Sequence, residues 1–165
     1  MPKKILVAYT SKYGSTRKYA EWIASALNAD LFAAQTVKPK ILSQYDAGGI
    51  AGVKLVTQNP CKNHIVFTVG LADPNSTDYS AIINKNFTPE LFAKTKFFHL
   101  RGGIDYKKLG PVHKVMMAMM KGMIQRKPES EREADDKEFL DTYNSKVNFE
   151  DKRTIDSIIA YVKGL

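Results

Sequence analysis

The sequence predicts an α/β domain built on a mainly parallel sheet. Three observations carry this. Short apolar runs, at Ile5–Tyr9, Leu31–Ala34, Ile65–Val69 and Lys96–Leu100, have the length and the β-branched or aromatic content of strands. Between and after them lie segments whose apolar residues recur at helical spacing, at 19–27, 79–86, 111–125 and 151–163. The first strand, helix and strand fall within about thirty residues, the size of a βαβ unit, whose crossover is right-handed. In such sheets ligands bind at the carboxyl ends of the strands, near the switch in strand order. The loops to inspect are therefore Thr10–Thr16, Gly70–Asp78 and Arg101–Gly110.

Each element follows from its residues. Ile5-Leu6-Val7-Ala8-Tyr9 is uniformly apolar and bounded by Lys3-Lys4 and a polar loop, the pattern of a strand buried on both faces. After Gly14 a helix carries Tyr19, Ala20, Ile23, Ala24 and Leu27 on one face, with Ser15 or Thr16 as its cap and Asn28 as its stop. Residues 36–62 contain Pro39, Gly48, Gly49, Gly52 and Pro60 and no convincing buried strand. Ile41-Leu42 is too short for one, and Val53–Thr57 reads equally as a strand or a turn of helix. Ile65–Val69 is a clear strand, followed by a turn-rich loop from Gly70 to Ser76 and a helix over Tyr79–Asn86. Thr88-Pro89-Glu90 reads as cap, first helical residue and first-turn acid. Lys96–Leu100 is ended by Gly102-Gly103. The helix from Pro111 to Gln125 carries Val112, Val115, Met116, Met119, Met120 and Met123 in register. Val147–Phe149 precedes a last helix, Asp151–Lys163, with Ile155, Ile158, Ile159 and Val162 on one face. The 165 residues suit a single domain, 1–165.

Composition narrows the function classes. The chain is 44% hydrophobic and 25% charged, ordinary for a globular protein. No apolar run approaches the roughly 18 residues of a membrane span. MPKK runs directly into a strand, so no cleavable leader is expected. Cys61 is the only cysteine, which excludes an internal disulfide and fits a reducing, cytoplasmic setting. It reads as a loop or half-buried thiol rather than a nucleophile. The net charge of +8 points to an anionic partner. Arg101 to Lys127 holds seven Lys or Arg and one acid, Asp105, while Glu129 to Glu138 holds six acids against Arg132 and Lys137. No RRM or helix-turn-helix pattern accompanies the charge, so nucleic acid is not expected. His64 and His113 have no Cys or carboxylate at metal spacing, and no metal site is expected. His99 reads as a half-buried strand residue, Tyr19 and Trp22 as packing residues.

The first loop carries the chemistry. A phosphate there would meet the hydroxyls of Thr10, Ser11, Ser15 and Thr16 and the N–H groups at a helix start, where the dipole favours an anion. Gly14 would permit close approach. The loop is neither G-x-x-x-x-G-K-[ST] nor G-x-G-x-x-G, so it suits a monophosphate rather than a nucleoside triphosphate or a dinucleotide. An ordinary polar loop explains the same residues about as well.

Ser11-Lys12-Tyr13-Gly14-Ser15-Thr16 resembles the flavodoxin phosphate loop, T/S-x-T-G-x-T, with Tyr13 in place of a small hydroxylated residue. Phe67-Thr68-Val69-Gly70-Leu71, Phe98-His99-Leu100-Arg101-Gly102-Gly103 and the Met-rich helix resemble the branch of the flavodoxin-domain family that includes the menaquinone-dependent protoporphyrinogen oxidase. The resemblance implies a flavodoxin-like three-layer fold with a parallel sheet in the order 2-1-3-4-5. It implies non-covalent FMN, with the phosphate on Thr10, Ser11, Lys12, Tyr13, Gly14, Ser15 and Thr16. The isoalloxazine would lie against Val69, Gly70, Leu71, Ala72 and Asp73. The implied role is electron transfer or quinone-linked oxidoreduction with a redox partner protein or a quinone. FMN would carry the chemistry, so no catalytic side chain is called for. A receiver-type domain of similar strand order is set aside, because Thr10 and Ser11 stand where its acids would be.

One departure is central. Tyr45-Asp46 resembles the family's lead-in to its third strand, yet it runs straight into the glycine-rich Ala47–Gly52, which resembles the loop after that strand. A four-stranded sheet, Val53–Thr57 as a substitute strand, and a strand from a second copy of the chain in a homodimer are the three arrangements left. The favoured expectation is a sheet one strand short, with Val53–Thr57 helical. The alternative function is accordingly a flavodoxin-like interaction module that has lost its flavin. Two expectations concern the basic segment. The Met stripe is read as core packing, with a peripheral contact at the inner face of a membrane as the other reading, and Met117, off the stripe, as the residue whose exposure would mark a contact surface. Arg101 is read either as facing a flavin or anionic substrate or as an ordinary surface residue.

Overall fold

The computed structural model describes residues 3–50 and 63–165. The elements in chain order are β1 (Ile5–Tyr9), α1 (Ser15–Leu27), β2 (Asp30–Ala33), α2 (Pro39–Leu42), β3 (Ala47–Ile50), β4 (Asn63–Gly70), α3 (Ser80–Asn86), α4 (Pro89–Ala93), β5 (Thr95–Arg101), β6 (Gly103–Asp105), α5 (Pro111–Arg126), α6 (Ala134–Thr142), β7 (Lys146–Asn148) and α7 (Asp156–Gly164). Among the described residues, five parallel strands form one sheet in the order β2-β1-β3-β4-β5. A small antiparallel pair, β6 with β7, closes its carboxyl edge, Ile104 opposite Val147.

Alternation along the strands builds two cores. Val7, Ile65, Phe67 and Leu100 point to one face, where Tyr19, Ala20, Ile23 and Ala24 of α1 and Ile158 and Val162 of α7 cover them. Leu6, Ala8 and Val66 point to the other, against Val37, Leu42 and Tyr45 and beside Phe87, Leu91 and Phe97. β1 contributes to both faces, so its run is continuously apolar. Fully buried Leu6 and Phe67 each contribute about 1.5–3 kcal/mol of transfer free energy. The layers are those of an α/β flavodoxin-like fold.

The third strand corrects the sequence expectation: the sheet is not one strand short. Ala47-Gly48-Gly49-Ile50 is β3, between β1 and β4, with Ile5 opposite Ala47 and Gly49 opposite Ile65. Glycine is depleted in strands and argued against this reading. A strand flanked on both sides, however, is held by two ladders of backbone hydrogen bonds, which need no side chain. Asp46 sets its register: its N–H donates to the Lys4 carbonyl at 2.9 Å, and its carboxylate accepts from Lys4 N–H at 2.9 Å. Tyr45 is anchored too, its hydroxyl donating to Asp30 at 2.7 Å, and burial with this bond pushes the phenol up to about 12. β1 and β4 therefore do not pair directly, and the gap for which a strand from a second copy was one of the three arrangements is filled by the chain itself. Val53–Thr57 and Cys61 lie outside the described residues.

Smaller differences have local causes. The cap of α1 is Gly14 at φ +103°, with Ser15 and Thr16 already helical, while Asn28 ends the helix in the left-handed region as expected. Gly102-Gly103 do not end the chain's strand structure, because Gly103 opens β6. Residues 152–155 form a 3₁₀ turn ahead of α7. The acidic run folds into α6, which starts in a reciprocal Glu133–Asp136 capping box and turns its acids toward the basic segment, Lys127 to Asp136 at 2.7 Å.

The Met stripe is the second correction. Val112, Val115, Met116, Met119, Met120 and Met123 are exposed, and Ile124 is the buried residue of α5. Met117, whose exposure would have marked a contact surface, lies half-buried on the inner side. Periodicity assigns residues to a common face but does not say which way the face turns. Its orientation is set by inner-side contacts, His113 with Tyr13 at 2.8 Å and Arg132 with the carbonyls of Ile124 and Gln125 at 3.3 and 3.1 Å.

Candidate functional site

The carboxyl ends of β1, β4 and β5 meet around the first loop. Gly14 N–H donates to Ser11 Oγ at 3.1 Å, which folds the loop into a tight turn and carries it into α1 through a left-handed glycine. The first turn of α1 has no acid and no side-chain cap. The leading N–H groups of this 13-residue helix therefore face the loop with their share of the dipole uncompensated by its own residues.

The end of β5 packs directly on this helix start. Ser15 Oγ accepts from Gly103 N–H at 3.1 Å. A Cβ on Gly102 would stand 2.8 Å from Val69 Cγ1 and 3.1 Å from Ser15 Cβ. Only a glycine lets the three chain segments approach so closely. A cleft of about 270 Å³ opens where they meet. Ser11, Lys12, Tyr13, Ser15 and Thr16 form one wall, Val69, Gly70 and Leu71 the second, and Gly102–Ile104 the third.

Not every predicted residue reaches this cleft. Thr10 lines a neighbouring apolar cavity of about 370 Å³ with Thr16, Val69 and His99. Ala72 lines a third cleft, of about 320 Å³, with Leu71, Met123 and Phe139. Asp73 is turned into its own loop, accepting from Asn75 N–H at 2.9 Å and from the Asn75 side chain at 3.0 Å. Gly14 shapes the loop from behind. Lys12 and Tyr13 also reach toward α5. The Tyr13 hydroxyl lies 2.8 Å from His113 Nδ1 and the Lys12 ammonium 3.4 Å from the same atom. Tyr13, the departure from the family loop, is thus the residue that ties the loop to the Met-rich helix.

The second wall is braced from outside. Gly102 N–H donates to the Gly70 carbonyl at 2.7 Å, and Arg101 Nε to the Leu71 carbonyl at 3.0 Å. The Arg101 guanidinium pairs with Glu138 and lies 3.8 Å over the Phe149 ring. Ser76 and Thr77 hydroxyls reach Asp135 at 3.2 and 3.3 Å. Arg101 is neither a free anion ligand nor a loose surface residue; it is the bracket of the Leu71 loop. His99 is half-buried as expected, stacked on Tyr79 at 3.7 Å, and burial pushes its pKa down.

Two features of the site had no signal in the sequence. The first is Glu150, next to the start of α1. Burial works to raise its pKa, but hydrogen bonds from Lys18, at 2.5 Å, and from Ser15 outweigh it and hold the carboxyl below the usual range. The second is the Tyr19 hydroxyl, which donates to the Arg101 carbonyl at 2.8 Å and accepts from Asp151 N–H at 3.0 Å. Its apolar spacing showed a packing residue; its polar end joins α1 to the end of β5 and to the C-terminal segment.

The lining offers backbone N–H groups and hydroxyls on one side and an apolar ledge on the other, a pairing suited to a ligand with a phosphate and a flat apolar part. Among the described residues, no group of three or more His, Cys, Asp or Glu is placed to hold a metal ion. No described helix is long and apolar enough to cross a membrane. Comparison with curated proteins gives no match. A family model described as a flavodoxin domain matches residues 6–131. That match spans most of the chain and coincides with the strand order and the loop geometry above, and the chain belongs to the flavodoxin-domain family.

Proposed function

We propose that this protein binds FMN without a covalent bond and acts in electron transfer or quinone-linked oxidoreduction. The observation that supports this is the cleft in which the hydroxyl loop and start of α1 face Val69–Leu71 across the gap left by Gly102. The residues fit the group. A monophosphate needs donors rather than a dedicated Lys and metal ion, and the N–H groups of Ser15, Thr16 and Arg17 with the Thr16 hydroxyl are such donors. Val69, Leu71 and Ile104 offer an apolar surface to a flat ring. When bound, FMN supplies reversible one- and two-electron chemistry at its ring system.

The chain's own residues bind and position. The start of α1 holds the anion. Arg101 fixes the Leu71 carbonyl and with it the ring-side loop. Leu71 and Ile104 exclude water from the ring side of the cleft. Lys18 and Ser15 hold the Glu150 carboxylate and offset its charge beside the anion site. The likeness to the quinone-dependent oxidase branch supports a quinone as electron acceptor. The net charge of +8 supports an acidic rather than a basic partner protein.

The test is a titration of the purified protein with FMN, read by quenching of flavin fluorescence and by visible absorbance. Stoichiometric quenching is expected, with riboflavin, which lacks the phosphate, bound much more weakly. A protein that stays colourless and quenches nothing at excess FMN overturns the reading in favour of an interaction module without flavin.

A further inference from the structure

We infer that the outward face of α5 is a docking surface for an anionic lipid bilayer. The inference stands whether or not a flavin is bound. Val112, Val115, Met116, Met119 and Met123 are 69%, 59%, 58%, 64% and 66% exposed. At 3.6 residues per turn they fall within an arc of about 100°. The helix turns its less apolar side inward and its most apolar side to solvent, the reverse of what burial alone favours.

The shape and the charge identify the occupant. The stripe is a ridge of protruding side chains about 17 Å long, from Val112 to Met123 of the 16-residue helix. A ridge suits a soft surface that it can enter, and unbranched methionines adapt to acyl chains. Lys107, Lys108, Lys114 and Arg126 are exposed around it, and among the described residues none of them has an ion-pair partner. Arg101 and Lys127 are instead neutralised by Glu138 and Asp136 of α6. Arg126 stands at the end of the stripe. Lys114 lies on the far flank of the helix, within about a Debye length of a surface that the stripe touches. A symmetric contact between two copies would set these unpaired cations against their own kind.

The experiment is co-sedimentation of the full chain with vesicles of phosphatidylcholine containing phosphatidylglycerol and with vesicles of phosphatidylcholine alone. Binding to the anionic vesicles that weakens with salt is expected. Met116→Glu with Met119→Glu reduces it by about tenfold or more, because apolar burial drives interfacial binding. Both positions are exposed, and an unchanged circular dichroism spectrum and melting temperature confirm that the variant folds. Lys114→Gln with Arg126→Gln, which leaves the stripe intact, weakens anionic binding by about fivefold per charge. No binding to either vesicle overturns the inference, as does equal binding to both or undiminished binding by the double Glu variant. A dimer that the Glu variant converts to monomer, with no vesicle affinity, overturns it in favour of a self-interface.

Discussion

Gly102→Ala tests the geometry of the cleft at its narrowest point. The new Cβ would stand 2.8 Å from Val69 Cγ1, 3.1 Å from Ser15 Cβ and 3.2 Å from Ser15 Oγ. Val69 is stiff at χ1, and its backbone is held beside Leu100 in the β4–β5 ladder, so it cannot step aside cheaply. Overpacking of this kind costs about 1–3 kcal/mol. Against it stands a gain of about 0.4–1 kcal/mol from a less flexible unfolded chain. The net loss is at most about 2.6 kcal/mol and about 1.3 kcal/mol at mid-range, or about 3–5 °C in melting temperature at mid-range for a domain of this size. The contact is relieved by moving Ser15, which loosens the start of α1. FMN affinity therefore falls by about tenfold, the equivalent of about 1.4 kcal/mol. Urea denaturation followed by circular dichroism reads the first effect and flavin quenching the second. Gly122→Ala is the control, since nothing lies within 4 Å of its Cβ position and a mid-helix alanine stabilises by about 0.5–1 kcal/mol. A Gly102→Ala protein as stable and as FMN-competent as the wild type would refute the close packing of the three walls.

Tyr19→Phe removes the hydroxyl from a fully buried side chain and leaves the Arg101 carbonyl and Asp151 N–H unpaired. At about 1–3 kcal/mol per orphaned group, a loss of at least about 2 kcal/mol in urea is expected. Arg101→Lys cannot reproduce a guanidinium that bonds Leu71, pairs with Glu138 and stacks on Phe149; it lowers stability by about 1.5–3 kcal/mol, and protease sensitivity near residue 71 reports the freed loop. Glu150 has a folded pKa below its ordinary value, so its contribution to stability is full above about pH 4.3 and is lost as the pH falls through the folded value. Glu150→Gln should flatten the acid limb of a stability–pH curve. It should also tighten FMN about two- to fivefold, because a charge at a helix N-terminus is worth about 0.3–1 kcal/mol. An unchanged acid limb would count against the Lys18 and Ser15 bonds to Glu150.

Legibility followed the physics of each segment. Ile5–Tyr9 and Ile65–Val69 were readable because strands covered on both faces are mostly apolar, and the edge strand Lys96–Leu100 was readable from its adjacent aromatic residues, Phe97 and Phe98. Thr88-Pro89-Glu90 was readable because each residue does a separate local task, and Thr88 caps Leu91 N–H at 3.3 Å. Ala47–Ile50 was not, because a strand of two glycines has no side-chain pattern and exists through its neighbours' ladders. The helix within the acidic run was not readable either, because α6 is held by charges outside its own span, on Lys127 and Arg101.

What the sequence by itself determined is the alternation of strands and helices, the hydroxyl loop after the first strand and the sharing of a face by the Met residues. All depend on spacing along the chain, which local sterics and periodicity settle. Only the tertiary structure decided that Ala47–Ile50 completes the sheet and that Gly102 brings β5 onto Ser15 and Val69. It alone turned Glu150 toward the start of α1 and the Met stripe toward solvent. These depend on contacts between residues up to 132 positions apart, and no local pattern encodes a neighbour supplied by another segment.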